Sequence, residues 1–282
     1  MSEKYIGIDV GGTSARVARF GSLESPKIER QESFRISKNY DRDIARLAEV
    51  AKEILEGNET DEIGFAVAGH IDHESGVLVK APNAPSWRGK PLRKDLAEAV
   101  GAEVRLVNDA QAAALAEATF TESDGQDFWF MIWGTGVGGS VVEFRDGKLT
   151  VVDAEPGHEI LDWSDDAPEC GCGRRGCLEA FTGGGPIERR FGVPAAELSE
   201  EQWADVCEWL ARGLYNIIRV HPAERVVIGG GVAAKQADRL PGIEGRLNEL
   251  LKGFRTVRIE RATYGEDAGV VGALAALRQP SK

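Results

Sequence analysis

One pattern occurs twice in this chain and limits the architectures open to it. Tyr5–Val10 reads as a buried strand, Gly11-Gly12-Thr13 as a turn, and Ser14–Phe20 as a returning strand. Far downstream, Phe128–Trp133 is again a strand, Gly134-Thr135-Gly136-Val137-Gly138-Gly139 a glycine turn, and Ser140–Phe144 a return. The stretches Ile6–Phe20 and Phe130–Phe144 therefore share one plan, and each opens a mixed run of strands and helices. The pairing suggests two halves of similar architecture. Glycine hairpins are common, so chance similarity is the competing reading.

The segments around the hairpins complete a mixed α/β pattern. Asp41–Leu55 is an amphipathic helix, with Ile44, Leu47, Ala48, Ala51, Ile54 and Leu55 at helical spacing. Strands are expected at Ser33–Ile36, Ile63–Ala68, Val77–Lys80, Val104–Val107, Leu149–Val152 and Val226–Ile228. Helices are expected at Pro91–Val100, at Asp109–Phe120, around Glu200–Val220 and, apolar throughout, at Ala268–Leu277. The net charge of −12 over 282 residues argues against a nucleic-acid surface, which needs clustered Lys and Arg. No apolar run approaches the roughly 20 residues of a membrane span. The first residues lack a secretory signal, and three of the four cysteines fall in one short loop, unlike a disulfide framework. A cytoplasmic protein is the simplest expectation.

Backbone N–H groups in a glycine turn form a concavity suited to phosphate oxygens. Gly134-x-Gly136-x-x-Gly139 formally matches a dinucleotide fingerprint, but that fingerprint requires a helix next, and Ser140–Phe144 are strand formers. No Gly-Lys-Ser/Thr sequence follows either turn, which excludes a P-loop. Two phosphate-hugging hairpins remain, with Asp9 before the first as a candidate partner for a metal-bound water.

His158, Cys170, Cys172 and Cys177 form the sharpest local signal. Thiolate and imidazole are the ligands zinc prefers, and four of them make a closed structural site. Free cysteines in a surface loop are the alternative. Cys207 lies in a helical pattern and reads as core. Asp109 opens a helix, where the N-terminus stabilises an ionised carboxylate and keeps it a competent base; an ordinary N-cap is the alternative. Glu155, His158 and Glu179 bracket the cysteine loop, so a metal there would fix groups able to read a sugar's hydroxyls. Solvated surface is the plain reading of either glutamate.

Taken in order, Asp9-Val10-Gly11-Gly12-Thr13, Pro82-Asn83-x-x-x-Trp87, Asn108-Asp109-Ala110, Gly134-Thr135-Gly136-Val137-Gly138-Gly139, Glu155-x-Gly157-His158, Cys170-x-Cys172-Gly173-x-x-Gly176-Cys177-x-Glu179 and Gly229-Gly230-Gly231 resemble the ROK family over essentially the whole chain. That family comprises repressors, uncharacterised frames and sugar kinases. The resemblance implies a two-lobed actin/hexokinase/Hsp70-type (RNase H-like) ATPase fold with a cleft, and a homodimer. The expected lobes are 1–107 with 266–282, and 108–265 carrying the zinc loop.

The resemblance further implies Asp109 as general base, and Asn83, Asn108, Glu155, His158 and Glu179 on the sugar hydroxyls. Gly11, Gly12, Thr13, Thr135 and Gly136 would hold the phosphates of ATP, with Mg2+ near Asp9, and Gly229, Gly230 and Gly231 would lie by the adenosine. Zn2+ on His158, Cys170, Cys172 and Cys177 would be structural, and its removal is expected to harm sugar binding and stability while sparing the phosphate turns. Glucose is the default substrate of the class; fructose, mannose, allose, N-acetylglucosamine and N-acetylmannosamine suit the same constellation. A sugar-binding repressor is the other class, but a helix-turn-helix is not expected where the first strand starts at Tyr5. Three residues depart from the family pattern: Ser14 after the first turn, His70 where many members have proline, and Ala154 in place of glycine.

Overall fold

The structure, a computed structural model, describes residues 3–81, 84–122 and 125–279. The chain divides into two units, residues 1–123 with 266–282 and residues 124–265.

In the first unit the hairpin β1 (Tyr5–Val10) and β2 (Ser14–Phe20) continues into β3 (Ile28–Arg35), then α1 (Tyr40–Leu55) and β4 (Glu62–Val67). The short pair β5 (His70–Asp72) and β6 (Val77–Lys80), α2 (Leu92–Val100), β7 (Glu103–Asn108) and α3 (Asp109–Phe120) follow. The sheet order is β3-β2-β1-β4-β7, with β1–β3 antiparallel and β4 and β7 parallel to β1. Its core packs Ile6, Ile8, Phe65 and Leu106 against Leu47, Ile54 and Leu96. The C-terminal helix, Ala268–Leu277, returns to this unit and packs against β1, β4 and α3. It approaches backbone to backbone: a Cβ on Gly64 would overlap the Ala273 carbonyl, and one on Gly272 the Ala112 carbonyl. That contact also places Asp109–Phe120 in the first unit, whereas the expected boundary at residue 108 had assigned it to the second.

The second unit repeats the plan. Strands β8 (Phe128–Trp133), β9 (Val137–Arg145) and β10 (Lys148–Ala154) lead to α4 (Leu178–Thr182), α5 (Gly184–Phe191) and α6 (Glu200–Val220). Then come β11 (Arg225–Gly229), α7 (Gly231–Lys235), α8 (Leu240–Leu250) and β12 (Arg258–Arg261); the C-terminal helix is thus α9. The sheet order β10-β9-β8-β11-β12 matches the first sheet strand for strand, directions included. The duplication inferred from the hairpins is therefore a duplication of whole sheets. The long helix α6 starts at a capping box, Ser199 with Gln202, and buries Trp203, Val206, Leu210, Leu214 and Ile218 on its apolar stripe. Sequence reading missed β12, whose Arg-Ile-Glu-Arg sequence is too polar and short to signal a strand, and α8. Among the described residues no helix is long and apolar enough to cross a membrane.

Candidate active site

In the first unit β1 delivers Asp9 to the edge of the glycine turn, opposite Arg16 on β2. The turn closes with the Gly11 N–H donating to the Ser14 carbonyl at 3.0 Å. Burial raises Asp9 to about 6, the neighbouring Asp109 adds to the rise, and Arg16 partly offsets it. Two carboxylates held this near each other repel, and a divalent cation beside them would relieve that repulsion, so the donor set fits Mg2+. Arg16 in turn holds the approach to α9 through the backbone and side chain of Glu266. The first turn of α9 closes on Asp9 so tightly that a Cβ at Gly269 would overlap the carboxylate.

Asp109 is the first residue of α3, but it is not the cap. Asn108 fills that position, its Oδ1 accepting from the Ala110 N–H at 2.8 Å and the Gln111 N–H at 3.4 Å. Its Nδ2 donates to the Gly69 carbonyl at 2.8 Å. Asn108, expected as a sugar ligand, is thus first a brace that fixes how α3 presents Asp109. The N-cap alternative for Asp109 falls away, and its carboxylate stands in the first turn, where the helix dipole favours the ionised form.

Asn83 lies outside the described residues. The loop after it is anchored by Trp87, which is fully buried, meets Tyr40 edge-on and donates from Nε1 to Asp43 Oδ2 at 3.4 Å. The other oxygen of the buried Asp43 accepts from the Ser37 N–H and hydroxyl at 2.7 and 2.8 Å. Sequence reading passed over Asp43 as one acidic residue in a helical first turn.

In the second unit the ligand atoms of His158, Cys170, Cys172 and Cys177 all lie within 4.8 Å of one another. Cys172 Sγ and Cys177 Sγ are 3.8 Å apart, and His158 Nδ1 is 3.6 Å from Cys170 Sγ. Tetrahedral zinc with Zn–S bonds of roughly 2.3 Å separates its sulfurs by about 3.8 Å, the spacing of the Cys172–Cys177 pair, so the donor set fits the ion. Burial first, then the neighbouring thiols, push Cys177 up to about 12, while the Arg174 backbone N–H pulls Cys172 down. Three sulfurs in this space become thiolates together only with a cation among them.

Glu155 precedes the short turn Pro156–His158, with the His158 N–H bonded to its carbonyl at 3.0 Å, and its side chain is exposed. Glu179 opens α4 and turns inward: its Oε2 accepts from the Val137 N–H at 2.9 Å, and its Oε1 lies 3.7 Å from Cys170 Sγ. The glycine turn holding Thr135 and Gly136 is closed by the Gly134 N–H bonding to the Gly136 carbonyl at 3.0 Å. Gly229 ends β11 and Gly231 opens α7; between them Gly230, at φ 97°, lies against the Trp133 backbone where a Cβ would clash. The unit therefore gathers Thr135, Gly136, Gly229, Gly230, Gly231, His158, Glu179 and the cysteines around one turn.

A family model for the ROK family matches residues 5–279. The chain belongs to the ROK family. Among curated proteins this ROK chain is 31% identical to a glucokinase of Thermotoga maritima, over 98% of each chain. It is 33% identical to an N-acetyl-D-glucosamine kinase of Aliivibrio salmonicida, over 95% of this chain and 98% of the relative. Among solved structures, the ROK hexokinase of Thermus thermophilus superposes with a TM-score of 0.82 at 28% identity, covering 97% of both chains. The ROK fold is of the actin/hexokinase type, and the repeated five-stranded sheets are its two cores. Within this ROK chain, Asp43, Gly269 and the Glu179–Val137 bond were not foreseen. A glycine opening an otherwise apolar helix was the one sequence hint among them.

Proposed function

We propose that this sugar kinase transfers the γ-phosphoryl group of ATP to a hydroxyl of glucose, giving glucose 6-phosphate. The observation that carries the reading is the pair Asp9 and Asp109, one near the end of β1 beside a glycine turn and the other in the first turn of α3, close enough that each carboxylate feels the other. Asp109 takes the proton of the attacking hydroxyl, as an ionised carboxylate at a helix N-terminus is suited to do. Glu155, His158 and Glu179, with Asn83, hold the remaining hydroxyls, while Asn108 keeps Asp109 in place. Gly11–Thr13 and Thr135–Gly136 receive the phosphates through backbone N–H groups, and Gly229–Gly231 borders the adenosine. Mg2+ near Asp9 supplies neutralisation of phosphate charge. Structural Zn2+ on His158, Cys170, Cys172 and Cys177 supplies rigidity, since four protein ligands leave no position for a substrate oxygen. Catalysis on this plan is positioning and electrostatics, the usual means of phosphoryl transfer.

The T. maritima relative supports glucose. N-acetyl-D-glucosamine is the second reading, favoured by the A. salmonicida relative. A coupled ADP-release assay across hexoses and N-acetylhexosamines decides between them. Turnover is expected to be highest with glucose and to fall about 1,000-fold in Asp109→Asn, the scale of a lost general base. No turnover with any sugar rejects the kinase reading, and undiminished turnover in the variant removes Asp109 as base. Family resemblance also supports a homodimer in the cytoplasm, and light scattering on the purified protein checks the dimer.

A further inference from the structure

The zinc loop was expected to serve the sugar alone, yet in the second unit it is built into the phosphate turn at three places. Glu179, two residues after the ligand Cys177, accepts the Val137 N–H at 2.9 Å. Gly157, next to the ligand His158, meets the following peptide on the other side of the same residue: a Cβ there would overlap the Val137 carbonyl oxygen. The N–H groups of Gly184 and Gly185, just beyond α4, donate to the carbonyls of Gly134 and Thr135 at 2.8 and 3.0 Å. Gly136 has to be glycine for the first of these contacts, because a Cβ would sit on Glu179 Oε2. The loop, with α4 and the head of α5 that follow it, thus grips the turn through the N–H and C=O of Val137 and the carbonyls of Gly134 and Thr135.

We infer that Glu179 is a positioning residue for nucleotide binding: its carboxylate clamps the Gly134–Val137 turn to the metal loop, so the metal site sets the shape of the phosphate cradle. A turn whose N–H groups are already aimed binds phosphate without first being ordered, and losing that preorganisation weakens binding. The clamp depends on reach. The acceptor oxygen has to arrive at Val137, and a charged acceptor strengthens the bond without being what places it. This inference rests on the reading of the turn as a phosphate site.

The test is calorimetry of a non-hydrolysable ATP analogue, with Mg2+ and without sugar, at matched zinc content. Glu179→Gln keeps the reach and loses the charge; Glu179→Asp keeps the charge and is one methylene too short. Analogue affinity is expected within about threefold of wild type for Glu179→Gln, and about tenfold weaker for Glu179→Asp. Chelation of the wild-type metal is expected to weaken the analogue by at least as much as Glu179→Asp does. The amide of Val137 is expected to exchange with deuterium faster in Glu179→Asp than in Glu179→Gln. An affinity that follows charge instead of reach, or is the same in all three proteins, overturns the clamp while leaving the kinase reading standing. Failure of the wild type itself to bind the analogue overturns the phosphate-site reading and the clamp with it.

Discussion

The two glycine hairpins share a backbone plan and differ in what stands behind them. The turn after β1 is backed by carboxylates and a helix end: Asp9 on its own strand, Asp109 at the head of α3, and the first turn of α9 at Gly269. The turn after β8 is backed by a cysteine loop gripping it through backbone groups and Glu179. A duplicated scaffold has been finished in one copy as a charged site and in the other as a rigid one. The sheets fix where a glycine turn stands, and the element packed behind each turn decides what it does.

The largest separation of the two sites should come from removing the metal. Chelation is expected to weaken sugar binding about 100-fold and lower Tm by on the order of 10 °C, consistent with losing about 3 kcal/mol or more in a chain of this size. Titration calorimetry and a thermal melt check this, and an unchanged melt would mean that the cysteine cluster is not a structural site.

Asp9→Asn probes the charged copy in the opposite direction. Asp9 sits near 6 in the folded protein against 3.8 for the ordinary side chain. Its contribution to stability is therefore fully present below pH 4 and is lost as pH rises through 6. At pH 7 the charged form costs about 2 kcal/mol after allowance for partial solvent access. The Asn variant is expected to be more stable than wild type by that amount at pH 7 to 8, with the gap closing toward pH 4. Denaturant melts of the two proteins over that range measure the gap, and one that widened toward low pH would contradict the assignment.

Gly269→Ala should give the smallest effect, because what it meets is the end of one side chain and not backbone. The added methyl meets the Asp9 carboxylate. About a tenfold loss of kcat/KM is expected, with a raised Mg2+ requirement. The same loss at every Mg2+ concentration would mean that Gly269 matters for packing alone.

What could be read in the chain, and what could not, follows from how far each feature reaches along it. The hairpins are legible because strand, turn and strand are adjacent, and the metal cluster because three of its ligands lie within one short loop. Asp109 is legible as the start of a helix, but that the capping position falls to Asn108 instead depends on Asn108 turning its own oxygen into the helix. The Glu179–Val137 bond spans 42 residues and joins a side chain to a peptide, so no spacing rule signals it. β12 is parallel to β11 at a sheet edge, where neighbouring backbone and not sequence periodicity makes the strand. The boundary between units fails for a similar reason: α3 belongs with α9, an element some 150 residues later that meets it through backbone at Gly272.

That last contact also bears on how the protein is made. The second unit is one continuous stretch, complete once residue 265 has been synthesised. The first is begun at once but closed only by α9, whose Val270, Ala273, Leu274 and Leu277 are buried. During translation the apolar floor of β1 and β4 therefore waits for the whole of the second unit to emerge before it is covered. The later-made half can be finished first, while the nascent first sheet keeps apolar surface uncovered until α9 arrives.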